Sequence, residues 1–358
     1  MTTPRIGLAI SGGGFRATAF GLGCLRALHD RGILDNVTVV SGISGGSLAA
    51  ALWAYGPDRF DDFDAHTVGL LRRGIQLDIT RRAFTPAAVG RNMTALLRSS
   101  MPTPFNSQRT ANRTDALRDT LADLVFGDAP LDKVTHPRLA TVLSATDLHT
   151  TRAVRFGSQR SSCSAHGTIT DPITVAQAVA ASAAFPLLLP AIERTFTFTR
   201  NGETATRRVA LTDGGVYDNL GLSVLEPGRS PAYTDHVYDL DYIIACDAGT
   251  GAPNPALGRF LPTRLYRAFN ITYRKTQDAG RARLHEAART GQLRGFVHSY
   301  LGMPDHRLPV PLPDLIPCGR VRSYGTNFKS MSDDDLHAIS TRGEQLTRTL
   351  ITYYCPDL

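Results

Sequence analysis

Residues 4–23 of the chain read PRIGLAISGGGFRATAFGLG and place three successive glycines between a strand pattern and a helix pattern. The run from Arg5 to Ile10 is short and apolar, as in a buried strand, and the apolar spacing from Phe15 to Arg31 predicts a helix. Successive glycine N–H groups at such a junction can form a concave nest for negative charge. The stretch therefore predicts a strand, an anion-binding turn and a helix.

A second unit of the same kind follows directly. Residues 37–41, VTVVS, predict a strand that leads through GISGG, residues 42–46, into an Ala- and Leu-rich helix pattern from Ser47 to Tyr55. Two consecutive strand–glycine–helix units predict adjacent parallel strands with both glycine turns at one edge of the sheet. We therefore expect an α/β fold with a mostly parallel central sheet flanked by helices.

The remaining pattern is compatible with one domain over residues 1–358, because no Pro- or Ser-rich linker divides it. We expect a helical insertion at about 58–137 and a helical C-terminal extension at about 255–358. The further predicted elements are a helix from Asp115 to Phe126, a hairpin of Leu139–Ala145 and Arg152–Phe156, a helix from Val175 to Phe185, a hairpin turning at Asn201–Gly202 whose second strand ends at Asp213, a strand from Tyr242 to Cys246, and helices at Thr263–Leu293 and Asp333–Tyr353.

Residues 42–46 contain the G-x-S-x-G pattern in the strand-to-helix context that a nucleophilic serine requires. Small residues at both flanks allow a turn so sharp that Ser44 can stand at its tip, at the start of a helix. The extra glycine after the serine makes this turn less constrained than one with a bulky residue there. We predict Ser44 as a nucleophile.

A serine nucleophile also needs a base. ALTDGG places Asp213 at the end of a predicted strand, before two glycines. An unperturbed aspartate, with a pKa of about 3.9, accepts a serine proton poorly, so burial would have to raise that pKa. The alternatives are an ordinary Asp-Gly turn and a Ser–Asp–His triad. The histidines that could complete a triad in this chain order are His236, His285, His298, His306 and His337.

The glycine triplet has two interpretations. A phosphate cradle for a nucleotide is disfavoured, because the G-x-x-x-x-G-K-[ST] pattern is missing and no G-x-G-x-x-G begins at this turn. An oxyanion hole formed by Gly12, Gly13 and Gly14 fits the nearby serine better.

Four motifs now stand in a fixed order: GGGFR at 12–16, GISGG at 42–46, AVAASAAFPLLLPAI at 178–192 and DGG at 213–215. This set resembles the patatin-like phospholipases and their cytosolic phospholipase A relatives, from Arg5 to about Gly221. The resemblance implies a three-layer α/β/α fold and a lipid acyl hydrolase that cleaves glycerophospholipid esters through an acyl-enzyme.

The same resemblance assigns residues to roles. It implies a Ser–Asp dyad of Ser44 and Asp213, with Gly12 to Gly14 as oxyanion donors. It further implies that Arg16 contacts the substrate phosphate, with an ion pair at the helix start as the alternative. A general carboxylesterase or thioesterase with the same dyad, or a non-catalytic protein that binds lipid or nucleotide, remains an alternative function.

Charge and composition bear on partners. The net charge is +7, but the arginines are not interleaved with aromatics and no nucleic-acid-reading motif is present, so we expect no nucleic acid. No metal or other cofactor is expected. The expected partner is a phospholipid membrane, contacted peripherally. The segment from Leu70 to Phe84, with Arg72, Arg73, Arg81 and Arg82, has a composition suited to an anionic bilayer, or to a solvated basic helix on a core.

The N-terminal segment lacks a charged region followed by an apolar one, and the five cysteines are scattered without metal-binding spacing. We expect reduced thiols and a cytoplasmic protein. Delivery as an effector without a signal peptide, as in some bacterial members of the family, and an activating partner stay open.

Overall fold

The computed structural model describes residues 3–84, 113–186, 189–251 and 261–358. Within these ranges the chain forms one ten-stranded sheet. Its strands are β1 Ile6–Ile10, β2 Val37–Gly42, β3 Ala140–Asp147, β4 Arg152–Gly157, β5 Ser161–Cys163, β6 Gly167–Ile169, β7 Ile192–Arg200, β8 Glu203–Asp213, β9 Tyr242–Asp247 and β10 Gly295–Tyr300.

The helices among the described residues cover both faces of this sheet. They are α1 Gly14–Asp30, α2 Gly45–Tyr55, α3 Phe60–Arg73, α4 Gln76–Ala83, α5 Arg113–Leu121, α6 Val175–Ser182, α7 Gly215–Asp218, α8 Leu261–Arg289, α9 Cys318–Val321 and α10 Asp333–Tyr354. One face packs against α1, α2, α6 and α10, and the other packs against α8 and residues 220–225. The result is a three-layer α/β architecture.

The predicted elements of the first 55 residues are confirmed, and β1 pairs with β2 in parallel. The predicted turn at Asn201 and Gly202 is also confirmed. Both residues have positive φ, 53° and 84°, as a tight two-residue hairpin requires. The helix predicted to reach Phe126 changes to a π-helical turn at Ala122, and the helix predicted to reach Phe185 ends at Ser182.

The expectation of a mostly parallel sheet is wrong. Strands β10, β9, β1, β2 and β3 are parallel to one another, which gives four parallel pairings. Strands β3 to β8 make six antiparallel pairings and close into a barrel when β8 pairs back with β3. Antiparallel neighbours need only short turns, so residues 140–213 form hairpins without intervening helices, α6 excepted.

Strand β3 joins the two parts of the sheet. One edge of β3 pairs with β4, while the other edge pairs with β2 from Ala140 to Leu143 and with β8 from Ala145 to Asp147. The partner changes at Ser144. At this branch point the ends of β2 and β8 come together, and these are the strands that precede Ser44 and carry Asp213.

The structure corrects the expected C-terminal extension and describes only part of the expected insertion. The C-terminal region is not purely helical, because β10 extends the parallel part of the sheet beside β9. Of the insertion expected at 58–137, helices α3, α4 and α5 are described, while residues 85–112 lie outside the described ranges. The thiols agree with the expectation from the sequence: all five cysteines are buried and free. No helix in the described part of the chain is long and apolar enough to cross a bilayer.

Candidate active site

Ser44 stands at the turn between β2 and α2 with φ 53° and ψ −121°, a conformation that non-glycine residues rarely adopt. The turn is this tight because its flanks have no side chains. A Cβ on Gly42 would lie 2.6 Å from the Ser47 Cα, and a Cβ on Gly46 would lie 2.2 Å from the Ile10 carbonyl oxygen. The predicted strained serine turn is present.

Ser182, the last residue of α6, fixes this turn. Its hydroxyl accepts a hydrogen bond from the Ser44 backbone N–H at 3.0 Å and donates to the Ser144 carbonyl at 2.6 Å, at the branch point of β3. Its own carbonyl accepts the Gly214 N–H at 3.1 Å. One residue therefore holds both the serine turn and the turn after Asp213.

Asp213 ends β8 and is 3% exposed, and the Ser44 hydroxyl lies close enough to its carboxylate to lower the pKa of Asp213. The Gly215 N–H donates to its Oδ1 atom at 2.7 Å. Burial raises the pKa of Asp213 to about 6, against the lowering effect of these two groups. At neutral pH the carboxyl is thus mostly ionised, yet it is a stronger base than an ordinary aspartate.

The glycine turn lies directly beside Ser44, but its three N–H groups are not equivalent. The Gly12 N–H donates to the Asn219 carbonyl at 3.1 Å, so this predicted oxyanion donor is already occupied. Gly13 and Gly14 have positive φ, 149° and 58°, and their N–H groups have no acceptor among the described residues. The geometry leaves these two as candidate donors.

The two glycine turns touch each other through bare backbone. A Cβ on Gly45 would lie 2.0 Å from the Gly14 carbonyl oxygen and 2.7 Å from the Gly14 nitrogen. Even an alanine would push the turns apart, so glycine is required where their main chains meet.

Two further side chains border the site. The Asn219 Oδ1 lies 2.3 Å from the position that a Gly12 Cβ would take. The Tyr273 hydroxyl, on α8, lies 3.4 Å from the corresponding position at Gly215, and burial together with the charge of Asp213 raises the pKa of Tyr273 well above its usual value. Sequence reasoning missed both residues. Of the two, Asn219 could more readily have been found from the sequence, because it lies six residues after Asp213 and just beyond the DGG motif.

Arg16 is on the first turn of α1, beside the glycine loop. Its Nε donates to the Ala248 carbonyl at 3.0 Å and its Nη1 to the Tyr324 carbonyl at 2.7 Å. Its Nη2 lies 3.2 Å from the position of a Gly13 Cβ. Two of the three guanidinium nitrogens thus anchor the C-terminal region to this loop, and Nη2 faces the candidate oxyanion donors.

No histidine of the described chain hydrogen-bonds Ser44 or Asp213. His298 contacts the buried Asp247 carboxylate at 3.2 Å, and His236 lies beside Tyr238. His285, His306 and His337 are exposed. None of the five histidines considered for a triad therefore contacts either residue.

The basic segment from Leu70 to Phe84 spans the end of α3, α4 and the residue after it. Arg72 pairs with Asp333, Arg73 with Asp78 and Arg82 with Asp123, so three of the four arginines have carboxylate partners. These pairs favour the solvated basic helix over an anionic-membrane contact. Leu77 and Phe84 nevertheless remain 70% and 59% exposed.

A strained serine turn, a buried aspartate at the end of β8 and an adjoining glycine loop thus lie together at one edge of the sheet. A sequence model of the patatin-like phospholipase family matches residues 8–225, more than half of the chain, and the chain belongs to this family. The matched range agrees with the predicted extent of the resemblance.

Individual proteins share the fold with this chain at low sequence identity, or share sequence with it over a short stretch only. Human GIVD cytosolic phospholipase A2 superposes with a TM-score of 0.58 at 16% identity, covering 97% of this chain and 59% of that one. Its complex with methyl γ-linolenyl fluorophosphonate gives a TM-score of 0.54 at 14% identity, covering 97% and 58%. The "Putative meiotic phospholipase SPO1" of Saccharomyces cerevisiae is 43% identical over 44 residues, 12% of this chain and 7% of that protein. The chain spans about three-fifths of the human enzyme.

Proposed function

We propose that this chain is a phospholipase A-type lipid acyl hydrolase that cleaves fatty-acyl esters of glycerophospholipids through a Ser44–Asp213 dyad. The observation that carries the proposal is that the Ser44 hydroxyl lies close enough to the buried Asp213 carboxylate to affect its pKa. A nucleophile in contact with a base of raised pKa is the arrangement that general-base activation requires.

The reaction follows from these contacts. The Ser44 Oγ attacks the ester carbonyl carbon while the Asp213 carboxylate takes its proton. The protonated carboxyl then gives that proton to the departing lysophospholipid oxygen, leaving an acyl-enzyme. Water attacks the acyl-enzyme with Asp213 again accepting a proton, the fatty acid leaves, and the proton returns to Ser44.

The negative oxygen of each tetrahedral intermediate needs preorganised donors. The N–H groups of Gly13 and Gly14 lie beside Ser44 at the N-terminus of α1, where the helix dipole also favours negative charge. Removing one such donor in a serine hydrolase slows catalysis about 10²–10³-fold. We assign these two groups to the oxyanion hole and leave Gly12 to hold the loop against Asn219.

The phospholipid substrate rests on family membership and on the fold shared with a cytosolic phospholipase A2. That human enzyme was captured with a fluorophosphonate bearing a γ-linolenyl chain, a reagent class that phosphonylates nucleophilic serines. The Nη2 of Arg16 is the group we assign to the substrate phosphate. Membrane contact would be peripheral.

The test has two arms. Wild type and Ser44→Ala are incubated with mixed phospholipid vesicles and with short soluble esters, and fatty-acid release is followed by mass spectrometry. Labelling with a fluorophosphonate probe is compared in wild type, Ser44→Ala and Ser164→Ala, a control at an exposed serine.

We expect fatty-acid release from vesicles and labelling in wild type and Ser164→Ala alone. Hydrolysis of soluble esters without vesicle hydrolysis would select a general esterase instead. No labelling of a folded wild type would favour a non-catalytic lipid-binding protein.

A further inference from the structure

A cluster of basic and polar side chains lies away from the dyad, against strand β4; its Arg155 and His236 are buried and its other members are partly buried. We call it the Arg155 cluster, and its members are Arg155, Ser223, Arg229, His236 and Tyr238. Arg155 stands opposite Ser144 on β3, whereas Asp213 stands opposite the next residue, Ala145. Successive residues of a strand point to opposite faces, so Arg155 and Asp213 project from opposite faces of the sheet.

Arg155 is 7% exposed, and the carboxylates of Asp218 and Glu226 act on it from beyond ion-pair distance. Its Nη2 makes a long contact of 3.5 Å with the Ser223 hydroxyl, and its buried Nε has no hydrogen-bond acceptor among the described residues. No described carboxylate lies within 4.0 Å of its guanidinium. A buried guanidinium in this state is costly, because buried charges are normally paired.

Arg229 is adjacent and equally without a carboxylate at ion-pair distance in the described chain. Its guanidinium donates to the carbonyls of Ser223 and His236 and to the Thr234 hydroxyl. These acceptors are neutral. Both guanidinium groups thus meet at Ser223, one through its hydroxyl and one through its carbonyl.

His236 completes the cluster. It is 2% exposed, its ring stands over β4 with Cε1 2.9 Å from the position of a Gly157 Cβ, and its Nδ1 lies 3.3 Å from the Tyr238 hydroxyl. Its buried Nε2 has no described partner. Burial and the charges of Arg155 and Arg229 lower the pKa of His236 to about 3, so the ring is neutral.

Two carboxylates, those of Asp218 and Glu226, act on Arg155 at longer range but make their hydrogen bonds and ion pairs to other groups. Asp218 accepts backbone N–H groups of Leu220, Gly221 and Ser223, and Glu226 pairs with Arg283 at 2.6 Å. One buried guanidinium, one partly buried guanidinium and a neutral imidazole therefore share one region, with no described carboxylate at ion-pair distance from either arginine.

We propose that the Arg155 cluster is a binding site for a phosphate group, held by the Nε of Arg155 and the Nε2–H of His236, with Arg229 adding charge. The guanidinium fork matches phosphate geometry, and a dianion balances two arginines where a chloride would balance one. A free phosphate ion and the phosphate of a lipid headgroup share this chemistry. The site does not depend on the Ser44–Asp213 reaction.

The test measures binding of inorganic phosphate to the full chain by equilibrium dialysis at constant ionic strength. We expect saturable binding of one phosphate per chain in wild type and in Ser44→Ala, which removes only the nucleophile. Arg155→Met should weaken binding about tenfold or more, and Arg155→Lys, which keeps a charge but loses Nε, should also weaken it. Arg152→Met, an exposed arginine on the same strand, is the matched control.

A second arm measures sedimentation of the same variants with phosphatidylcholine vesicles with and without phosphatidic acid. Arg155-dependent sedimentation without binding of free phosphate would identify a lipid headgroup as the source. In crystals or side-chain NMR spectra of wild type, phosphate should contact the Arg155 Nε. The proposal would be overturned if phosphate did not bind saturably and sedimentation did not depend on Arg155. Displacement of phosphate by an equal concentration of chloride, or wild-type affinity in both Arg155 variants, would also overturn it.

Discussion

The Ser182 hydroxyl, at the end of α6, accepts a hydrogen bond from the backbone N–H of Ser44 at 3.0 Å. No residue of α6 is assigned a step in the proposed reaction. The Ser182 carbonyl also receives the Gly214 N–H. The separation between the proposed nucleophile and the proposed base thus depends on a third residue that bridges their turns.

Replacing Ser182 by alanine should lower kcat by about tenfold or more with a much smaller effect on KM. The Ser44 N–H and the Ser144 carbonyl would lose their partner, and a buried unsatisfied group costs about 1–3 kcal/mol. Steady-state kinetics with a vesicle substrate checks this. Ser340→Ala, a buried serine on α10, controls for stability loss alone. Equal kcat values in the two variants would show that Ser182 has no positioning role.

Asp213→Asn should abolish activity and raise stability at neutral pH. The folded carboxyl has a pKa of about 6 and the ordinary value is 3.8, so the folded chain holds the proton more tightly than the unfolded chain. Ionisation of Asp213 therefore costs folding free energy that grows as pH rises from about 4 to about 6, to at most about 3 kcal/mol.

Urea unfolding of wild type and Asp213→Asn measures this difference. We expect the variant to be more stable by about 1–3 kcal/mol at neutral pH, with the gap closing below about pH 4. A variant that is less stable at neutral pH would mean that the carboxylate is stabilised by the site.

The pH dependence of kcat/KM should show one ascending limb with a midpoint near pH 6. Below that pH Asp213 is protonated and cannot accept the Ser44 proton, so the rate falls about tenfold per pH unit. Profiles at two temperatures identify the group, because carboxyl ionisation is nearly temperature-independent and imidazole ionisation is not. A strongly shifting midpoint would indicate a histidine base.

Gly45→Ala should destroy activity and destabilise the chain, because its Cβ would lie 2.0 Å from the Gly14 carbonyl oxygen. Gly69→Ala, on α3 with no atom within 4 Å of the added Cβ, should fold normally and keep wild-type activity. Thermal unfolding and fatty-acid release check both variants. An active Gly45→Ala would show that the two turns can separate without loss of function.

The sequence predicts the motif-bearing part of the site well, because Ser44 and Asp213 sit in turns with strong local signals. It does not predict the barrel. Strands β5 and β6 have only three residues each, too few for a periodicity, and the β3–β8 pairing joins residues more than 60 apart. Pairing between residues that are distant in the sequence cannot be predicted from the pattern of neighbouring residues.

The roles of the residues that hold the site in place could not be predicted from the sequence either. Ser182 is one small residue in AVAASAAF, where any position could face the core, and its role depends on α6 ending at the branch point of β3. Gly12 carries the same motif signal as Gly13 and Gly14, yet a contact with Asn219 takes its N–H. Such contacts are set by tertiary packing.

The branch point of β3 divides the proposed chemistry between two mechanically distinct regions. The proposed nucleophile follows a strand of the open parallel sheet, whereas the proposed base ends a strand of the barrel, which closes through three β3–β8 residue pairs. Opening those three pairs would release the end of β8, and with it Asp213, while the parallel pairings of β2 stayed intact. The rate of hydrolysis would then depend on whether the barrel is closed. On heating, activity would be lost at a lower temperature than secondary structure.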